Sequence, residues 1–559
     1  MGIFNSVASG AGHGRSRYTK SMTKSIKYNA RFYERIPIFR HFVMPGDVWR
    51  IGGDALIRFM PMASPTLTGN KFKVRYFFVP LRLLEEDTEI IITGSKNGKL
   101  YTGDEKSFKN FVADANKTTD ANAFKVQKYG FWDYIGVQLG DYENIKNAEC
   151  LPAQYWDKAY GRIDFDYYRD ENYDTQDDFD DWYAERAKSG ANVPILFSKL
   201  PKDYFTSTLP AQIKGVVPIL NVTGDATMSG WDFGEVTGSP YANKLLIGNG
   251  SLEAATLGGT VEENPPLRAS GNGLTQAKLQ QFTDNFEDAL NDAGTKLSIN
   301  GLGFDVSELR DVVQATRIME RLSRCGSRYN EYLRSNFGIA PADETLQRAQ
   351  YLGGWSLPIV TTEVLQTAED GDTPVGTMRG HGISRGGNRI PTFVAKEFGV
   401  IMGLAELRPD TEYTTGIDRE LTIKRRFDFP NPSFEHLSED EVRKGELFIN
   451  FTPDADTGEY DNDQTFGFQG MYNFLRTARN LTVADMRDGL SFWTQSLHFS
   501  TRPEVSGLLT AENHLSSFNA PFNFVDAENS RPYVAEVLNV IDLYRPLDKY
   551  AVPGYNDHF

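Results

Sequence analysis

The sequence has 559 residues, a formal net charge of −16 at pH 7, 40% hydrophobic residues and 24% charged residues, which is an ordinary globular balance. Two cysteines, Cys150 and Cys325, exclude a disulfide framework and a zinc site built from cysteine clusters. No apolar run is long enough to span a membrane, and no signal peptide is predicted. The length predicts one large domain with a big insertion, or two to three domains.

The first 35 residues form a basic segment, because no acidic residue precedes Glu34. The segment lacks a periodic apolar face, so we predict an extended or partly disordered arm. The cations of such an arm can neutralise phosphate groups. The alternative interpretation is a solvated terminus whose positive charge has no function. The residues predicted to face DNA are Arg15, Arg17, Lys20, Lys24, Lys27 and Arg31.

Residues 36–84 have the pattern of β-strands, with a turn at Pro45-Gly46. The strongest strand signal is NKFKVRYFFVP, in which apolar and basic residues alternate before Phe77-Phe78-Val79. Those three consecutive apolar residues predict a strand end that is covered on both faces. Helices are predicted within residues 154–172 and 177–189, and the high aromatic content favours a loop-rich β protein.

Nine carboxylates lie between Asp164 and Asp181. Such a run can bind calcium or supply the acid pair of a glycosidase, but a solvated face is the default interpretation. No nucleophile elbow, phosphate-binding loop or zinc-protease motif is present, and the histidines are scattered. We therefore predict no catalytic residue, no metal site and no cofactor.

Residues 216–302 are rich in Gly, Thr, Asn, Ser and Ala and predict a surface insertion that ends in a helix over residues 275–294. A clear helical pattern follows, capped by Asp305 or Ser307 and ended at Cys325-Gly326, and a second helix ends at Gly338. Residues 355–430 return to strands with glycine-rich turns at 380–387, and residues 468–479 predict a further helix.

Several blocks resemble the major capsid proteins of the Microviridae, close to the gokushovirus branch. They cover roughly residues 15–84, 151–215 and 303–559, whereas residues 216–302 match nothing in the family. Gln212-Ile213 and Ala349 depart from the family pattern without threatening the fold. The blocks are RSRYTKS with IPIFRHFVMPGDVWRI, FKVRYFFVPLRLL, LPAQYWDKAYGRIDFDYYRDEN, DYFTSTLPAQIKG, and GSRYNEYLRSNFGIAPADETLQRAQYLGG.

The resemblance implies a mainly β protein, an eight-stranded antiparallel jelly roll of the viral capsid type whose long loops contain helices. Residues 1–35 would be the basic arm, 36–215 the first part of the jelly roll, 216–302 a protrusion at the three-fold axis, and 303–559 a helical loop region with the remaining strands. Sixty copies would form a T=1 shell around circular single-stranded DNA.

The resemblance also implies partners: further copies of the chain in pentamers and the sixty-copy shell, a scaffolding protein, a small basic DNA-binding protein, a pilot protein and a host surface receptor. The expected location is the virion, after assembly in the bacterial cytoplasm. A second interpretation rests on the aromatic and acidic content alone. It is a secreted β protein that binds or cleaves carbohydrate.

Overall fold

The computed structural model describes residues 18–109, 125–142, 150–174, 176, 178–186, 194–214, 223–229, 244–247, 253–256, 268–269, 296–303, 306–326, 328–365, 378–437, 439–453, 458–522, 526 and 530–547. Within these ranges, no helix has both the length and the apolar character of a membrane span. The chain divides into two compact units. The first is Met1–Lys214 with Glu320–Phe559, and the second is Gly215–Met319.

The described part of the chain is mainly β-sheet with short helices between the strands. The strands are β1 Tyr18–Ser21, β2 Lys24–Ala30, β3 Ile36–Val43, β4 Val48–Phe59, β5 Asn70–Pro80, β6 Ser95–Lys96, β7 Lys99–Leu100, β8 Lys125–Val126, β9 Gly140–Asp141, β10 Thr223–Ser229, β11 Lys244–Ile247, β12 Glu253–Thr256, β13 Arg268–Ala269, β14 Lys296–Gly303, β15 Gln350–Ile359, β16 Thr361–Leu365, β17 Met378–Gly386, β18 Phe393–Val394, β19 Gly399–Pro409, β20 Glu439–Arg443, β21 Thr465–Gly470 and β22 Tyr533–Arg545.

The α-helices are α1 Thr88–Thr93, α2 Phe131–Tyr134, α3 Tyr155–Tyr167, α4 Phe179–Arg186, α5 Val306–Cys325, α6 Tyr329–Phe337, α7 Lys444–Leu447, α8 Val505–Leu509 and α9 Leu515–Phe518. Short 3-10 turns occupy Leu81–Leu83, Arg419–Thr422, Pro432–Leu437, Asp461–Asp463, Asn473–Leu475, Ala484–Arg487, Ser491–Trp493 and Ala511–His514.

Two antiparallel sheets carry the core of the first unit. One has the order β1-β22-β4-β17-β16, with β2 also on β22 and β18 on β4, and the other has the order β15-β5-β19-β3. In the second unit, β10 pairs with β14, and β11, β12 and β13 form a separate antiparallel sheet. The mainly β, antiparallel architecture with helices between strands is thereby confirmed.

The core lies between the two large sheets. Strand β22 buries every second residue from Tyr533 to Leu543, as a strand with one covered face must. Asn539 is the polar exception on this buried face. Its side chain accepts a hydrogen bond from the Tyr76 hydroxyl at 3.1 Å and donates one to the Ile38 carbonyl at 3.1 Å. The two bonds tie β22 of one sheet to β5 and β3 of the other.

Strand β5 has the alternation that its sequence predicts. Phe72, Val74 and Tyr76 are fully buried, whereas the basic residues between them are half-buried or exposed. Phe77 and Val79 on the opposite face are buried as well, and the Phe77 ring lies 5.0 Å from that of Tyr167 at the end of α3. The prediction that this strand end is covered on both faces is confirmed.

The helical predictions have mixed outcomes. Helix α5 ends at Cys325, and α6 ends before Gly338, which has the left-handed φ of 69° of a helix C-cap. The predicted helix over residues 468–479 is wrong, because that segment holds the end of β21 and a 3-10 turn at Asn473–Leu475. The predicted helix over residues 275–294 lies outside the described residues.

The glycine-rich segment predicted as a turn is instead mostly strand β17, which runs to Gly386. Its glycines are required by close packing. A Cβ on Gly382 would lie 2.2 Å from the Phe59 ring, and one on Gly387 would lie 1.7 Å from the Gly53 carbonyl oxygen. The absence of side chains therefore lets β17 and the residues after it approach β4 closely.

Substituting Gly387→Ala is expected to lower the free energy of unfolding by about 3 kcal/mol or more, since the new methyl group overlaps backbone that cannot move without distorting β4. Gly470→Ala is the matched control, because a Cβ there meets nothing within 4 Å. It is expected to change stability by about 0.5 kcal/mol or less. Urea unfolding of the purified subunits measures both, and equal costs would contradict the packing argument.

Candidate assembly and nucleic-acid surfaces

The carboxylates between Asp164 and Asp181 are organised by cations and backbone donors. Asp164 forms an ion pair with the buried Arg35. Asp166 accepts hydrogen bonds from Arg162 Nε at 3.0 Å and from the Ala349 N–H at 2.8 Å. Asp164 and Asp166 are only 7% and 8% exposed, so the solvated-face interpretation is wrong for them. Among the described residues no cluster of three potential metal ligands occurs.

A second buried acid, Glu406 of β19, joins β5, β19 and the connection after α4 on the outer face of the β15-β5-β19-β3 sheet. Its carboxylate lies 2.7 Å from Arg408 Nη2 and 3.5 Å from Arg75 Nη1, and it accepts a hydrogen bond from the Ser198 hydroxyl. Burial alone would raise the pKa of Glu406, but Arg408 and Arg75 outweigh burial and hold the pKa below its usual value.

Tyr168 joins this acid to the one on α3. Its hydroxyl accepts a hydrogen bond from Arg75 Nη1 at 3.1 Å, and the Arg35 guanidinium lies 4.1 Å from its ring centroid. Arg35 in turn pairs with Asp164 of α3. These contacts attach α3 to the sheet by an ion pair, a hydrogen bond and a cation–π interaction.

Glu406→Gln is expected to cost about 3–5 kcal/mol of unfolding free energy, because it leaves Arg75 and Arg408 without their compensating charge. Asp410→Asn is the matched control, since Asp410, the residue after β19, pairs with Lys71 of β5 at 2.8 Å and both side chains are exposed. That pair contributes about 1 kcal/mol or less. Comparable losses in the two variants, measured by urea unfolding, would show that the buried network is not a major source of stability.

Asp157 is a further buried carboxyl, on the face of α3 that packs on α4. Tyr183 donates a hydrogen bond to it at 2.6 Å, and burial raises its pKa to about 7. Because the pKa is raised in the folded state, the protonated acid is favoured by folding. Stability therefore falls as pH rises from the unfolded-state pKa near 4 to about 7.

Asp157→Asn removes this titration while keeping an oxygen that accepts the Tyr183 hydrogen bond. We expect the variant to exceed the parent in unfolding free energy by on the order of 2 kcal/mol at pH 8 and to lose that advantage at pH 4. Thermal or urea unfolding across this range measures the difference. A pH-independent difference would show that Asp157 is not the titrating group.

Large apolar side chains are exposed in the turn-rich part of the chain between β19 and α8. Phe427 is 71% exposed and Leu421 is 74% exposed. The ring centroids of Phe427 and Phe434 are 6.2 Å apart. Phe451 reaches 84% exposure. Clustered exposure of this kind is typical of protein contact surfaces, which are enriched in aromatic residues.

The structure places the predicted DNA-facing residues unevenly. Arg15 and Arg17 lie outside the described residues, and Lys20 lies in β1 opposite Leu543. Lys24 and Lys27 belong to β2, so the second half of the basic segment is part of a sheet and not an extended arm.

Lys27 and Arg31, two of the six residues predicted to face DNA, form ion pairs within the chain. Lys27 Nζ lies 3.7 Å from the Glu536 carboxylate, and both side chains are exposed. Arg31 Nε donates to Glu34 at 2.7 Å, and its guanidinium lies 4.8 Å from the Phe197 ring centroid. Arg31 is therefore held by intramolecular contacts.

A cleft beside β2 adds cations that sequence reasoning missed. Lys24 and Lys27 line it together with Arg40 of β3 and with Lys128. Arg40 and Lys128 come from separate parts of the sequence, so no local pattern identifies them. Only the pairing of β2 with β22 and of β3 with β19 fixes which strand edges face the cleft.

The comparisons with known proteins agree with the capsid resemblance. A family model described as capsid protein (F protein) matches residues 11–555. The chain is 24% identical to capsid protein VP1 of Chlamydia phage 1, over 93% of this chain and 92% of that protein. It is also 24% identical to capsid protein VP1 of Bdellovibrio phage phiMH2K, over 89% and 88%, and to that of Spiroplasma virus 4, over 93% and 92%.

Proposed function

Because the chain belongs to the capsid protein (F protein) family, whose Microviridae members are structural and non-enzymatic, we propose that it assembles as sixty copies into a T=1 shell around circular single-stranded DNA. As a capsid protein it is a component of the virion. Family membership replaces the carbohydrate-active interpretation, and the pairing of Asp164 and Asp166 with cations agrees with a structural role for those acids.

The order of the strands supports an eight-stranded jelly roll. Four strands lie in the order β2-β22-β4-β17 in one sheet and four in the order β3-β19-β5-β15 in the other. Along the chain, β2 to β5 alternate between the two sheets, and β15 follows β5 in the same sheet. This interleaving is what two nested Greek keys require, and the long connections between strands contain the helices.

The exposed aromatic side chains Phe427 and Phe451 support self-assembly, because large apolar groups of this exposure suit burial against neighbouring copies. In a closed shell these contacts are heterologous around each symmetry axis. The proposed partner proteins are a scaffolding protein, a small basic DNA-binding protein and a pilot protein. Assembly is proposed to take place in the bacterial cytoplasm.

Two further assignments belong to the same proposal. The basic segment faces the packaged DNA, which its cations Arg15, Arg17, Lys20 and Lys24 support. Residues 216–302 form the three-fold protrusion that contacts a host surface receptor. Their composition supports this, as does the separate compact unit Gly215–Met319 that contains them.

The solution mass of the purified protein tests the shell. The chain has a mass of 62.8 kDa, so a pentamer weighs about 314 kDa and the sixty-copy shell about 3770 kDa. Light scattering is expected to show the pentamer alone and the larger particle when scaffolding protein is added. A strict monomer under both conditions at high concentration would overturn the proposal.

A further inference from the structure

A cleft of about 400 Å³ lies where the edges of the two large sheets meet. Strand β2 pairs only with β22 and β3 only with β19 among the described strands, so each presents its other edge to the cleft. The turn that contains α2, from Lys128 to Gly136, closes one side. A volume of this order accommodates a small ligand or one nucleotide unit of a polymer.

The cleft is electropositive, although the chain as a whole is acidic. Four cations line it, namely Lys24, Lys27, Arg40 and Lys128, against one carboxylate, Asp133, whose Oδ2 already accepts the Tyr129 N–H at 2.8 Å. Lys24, Arg40 and Lys128 form no ion pair with any described carboxylate. Lys27 is paired with Glu536, so the uncompensated charge comes from the other three cations, and like charges gathered in this way favour a bound anion.

Burial and this positive charge lower the pKa values of two groups in and beside the cleft. Partial burial and then the Arg40 charge lower the pKa of Lys24. Burial, Lys24, Arg545 and Arg40 together lower the pKa of His41 to about 4. Each shift reflects positive charge held in a partly desolvated place, where an anion is bound more strongly than at an open surface.

An aromatic side chain lies at the rim of the cleft beside these cations. Tyr129 has a left-handed φ of 69°, which is uncommon for a residue other than glycine and costs energy. Its ring lies 4.7 Å from Lys128 Nζ, and Arg531 packs against it. A cluster of cations next to an aromatic ring is the arrangement that proteins use to bind single-stranded nucleic acids.

We propose that this cleft binds the backbone of a single-stranded nucleic acid, with Lys24, Arg40 and Lys128 contacting phosphates and Tyr129 contacting a base. The proposal rests on the packaging of DNA that the proposed function includes, and it extends the site from Lys24 of the basic segment to Arg40, Lys128 and Tyr129 outside it. An acidic protein segment would satisfy the cations but would not use the aromatic ring, so the nucleic acid fits the whole site better.

The test uses the purified full chain and a fluorescently labelled oligothymidylate of about 16 nucleotides. Lys24→Gln with Lys128→Gln is expected to weaken binding about tenfold at moderate salt. It is also expected to reduce the slope of log affinity against log salt by about 1.4, because two phosphate contacts are lost. Lys96→Gln with Lys99→Gln is the charge-matched control in an exposed hairpin and should change neither quantity.

A second pair of variants separates stacking from charge. Tyr129→Leu should weaken binding without changing the salt slope, whereas Tyr129→Phe should bind as the parent does. Unfolding midpoints measured in parallel identify any variant that fails to fold.

Two results would contradict nucleic-acid binding at the cleft. Affinity and slope of the Lys24/Lys128 variant equal to those of its control would overturn the assignment, as would displacement of the oligonucleotide by an oligoglutamate peptide at a lower concentration than by unlabelled oligothymidylate. Light scattering keeps the two proposals apart. Loss of DNA binding with full-size particles would be a failure of binding alone, whereas intact cleft binding by a chain that never assembles would overturn only the shell.

Discussion

The outer face of the β15-β5-β19-β3 sheet depends on a buried charge, Glu406, because three elements meet there. Arg75 and Arg408 come from the two central strands, and Ser198 comes from the connection after α4. Replacing water by these partners keeps the carboxylate ionised in the interior. The helical connection can therefore lie against the sheet, which leaves β5 and β19 covered on both faces.

Elements defined by their own residues could be predicted from the sequence, whereas elements fixed by distant packing could not. Strand β5, helix α5 and helix α6 have local periodicity or a terminal glycine, so their own residues define them. The β17 segment could not be predicted in the same way, since its glycines are fixed by the approach of β4, far away in the sequence. Residues 468–479 have helix-like apolar spacing, but pairing of β21 with β20 overrides it.

The candidate surfaces likewise combine residues with a local sequence signal and residues brought together only by the fold. The basic segment is visible in the sequence because its cations are adjacent and lack acidic neighbours, whereas the compensation of Arg31 by Glu34 depends on the turn that follows β2. Arg40 and Lys128 could not be assigned from the sequence, because they reach the cleft only through the packing of β3 and the α2 turn. The acidic run was visible as composition, but its partners Arg35 and Ala349 lie far from it in the chain.

A net charge of −16 repels nucleic acid at long range, yet salt screens charges beyond about 8 Å. Binding of a strand therefore depends on the local field. The cleft provides such a field, because three of its four cations form no ion pair with a described carboxylate and its one carboxylate, Asp133, already accepts a backbone N–H. A few cations per subunit position phosphates but leave most of a genome's charge uncompensated. A small basic protein of the kind proposed as a partner would supply the remaining positive charge, since neutralising phosphates requires cations that this acidic chain lacks in bulk.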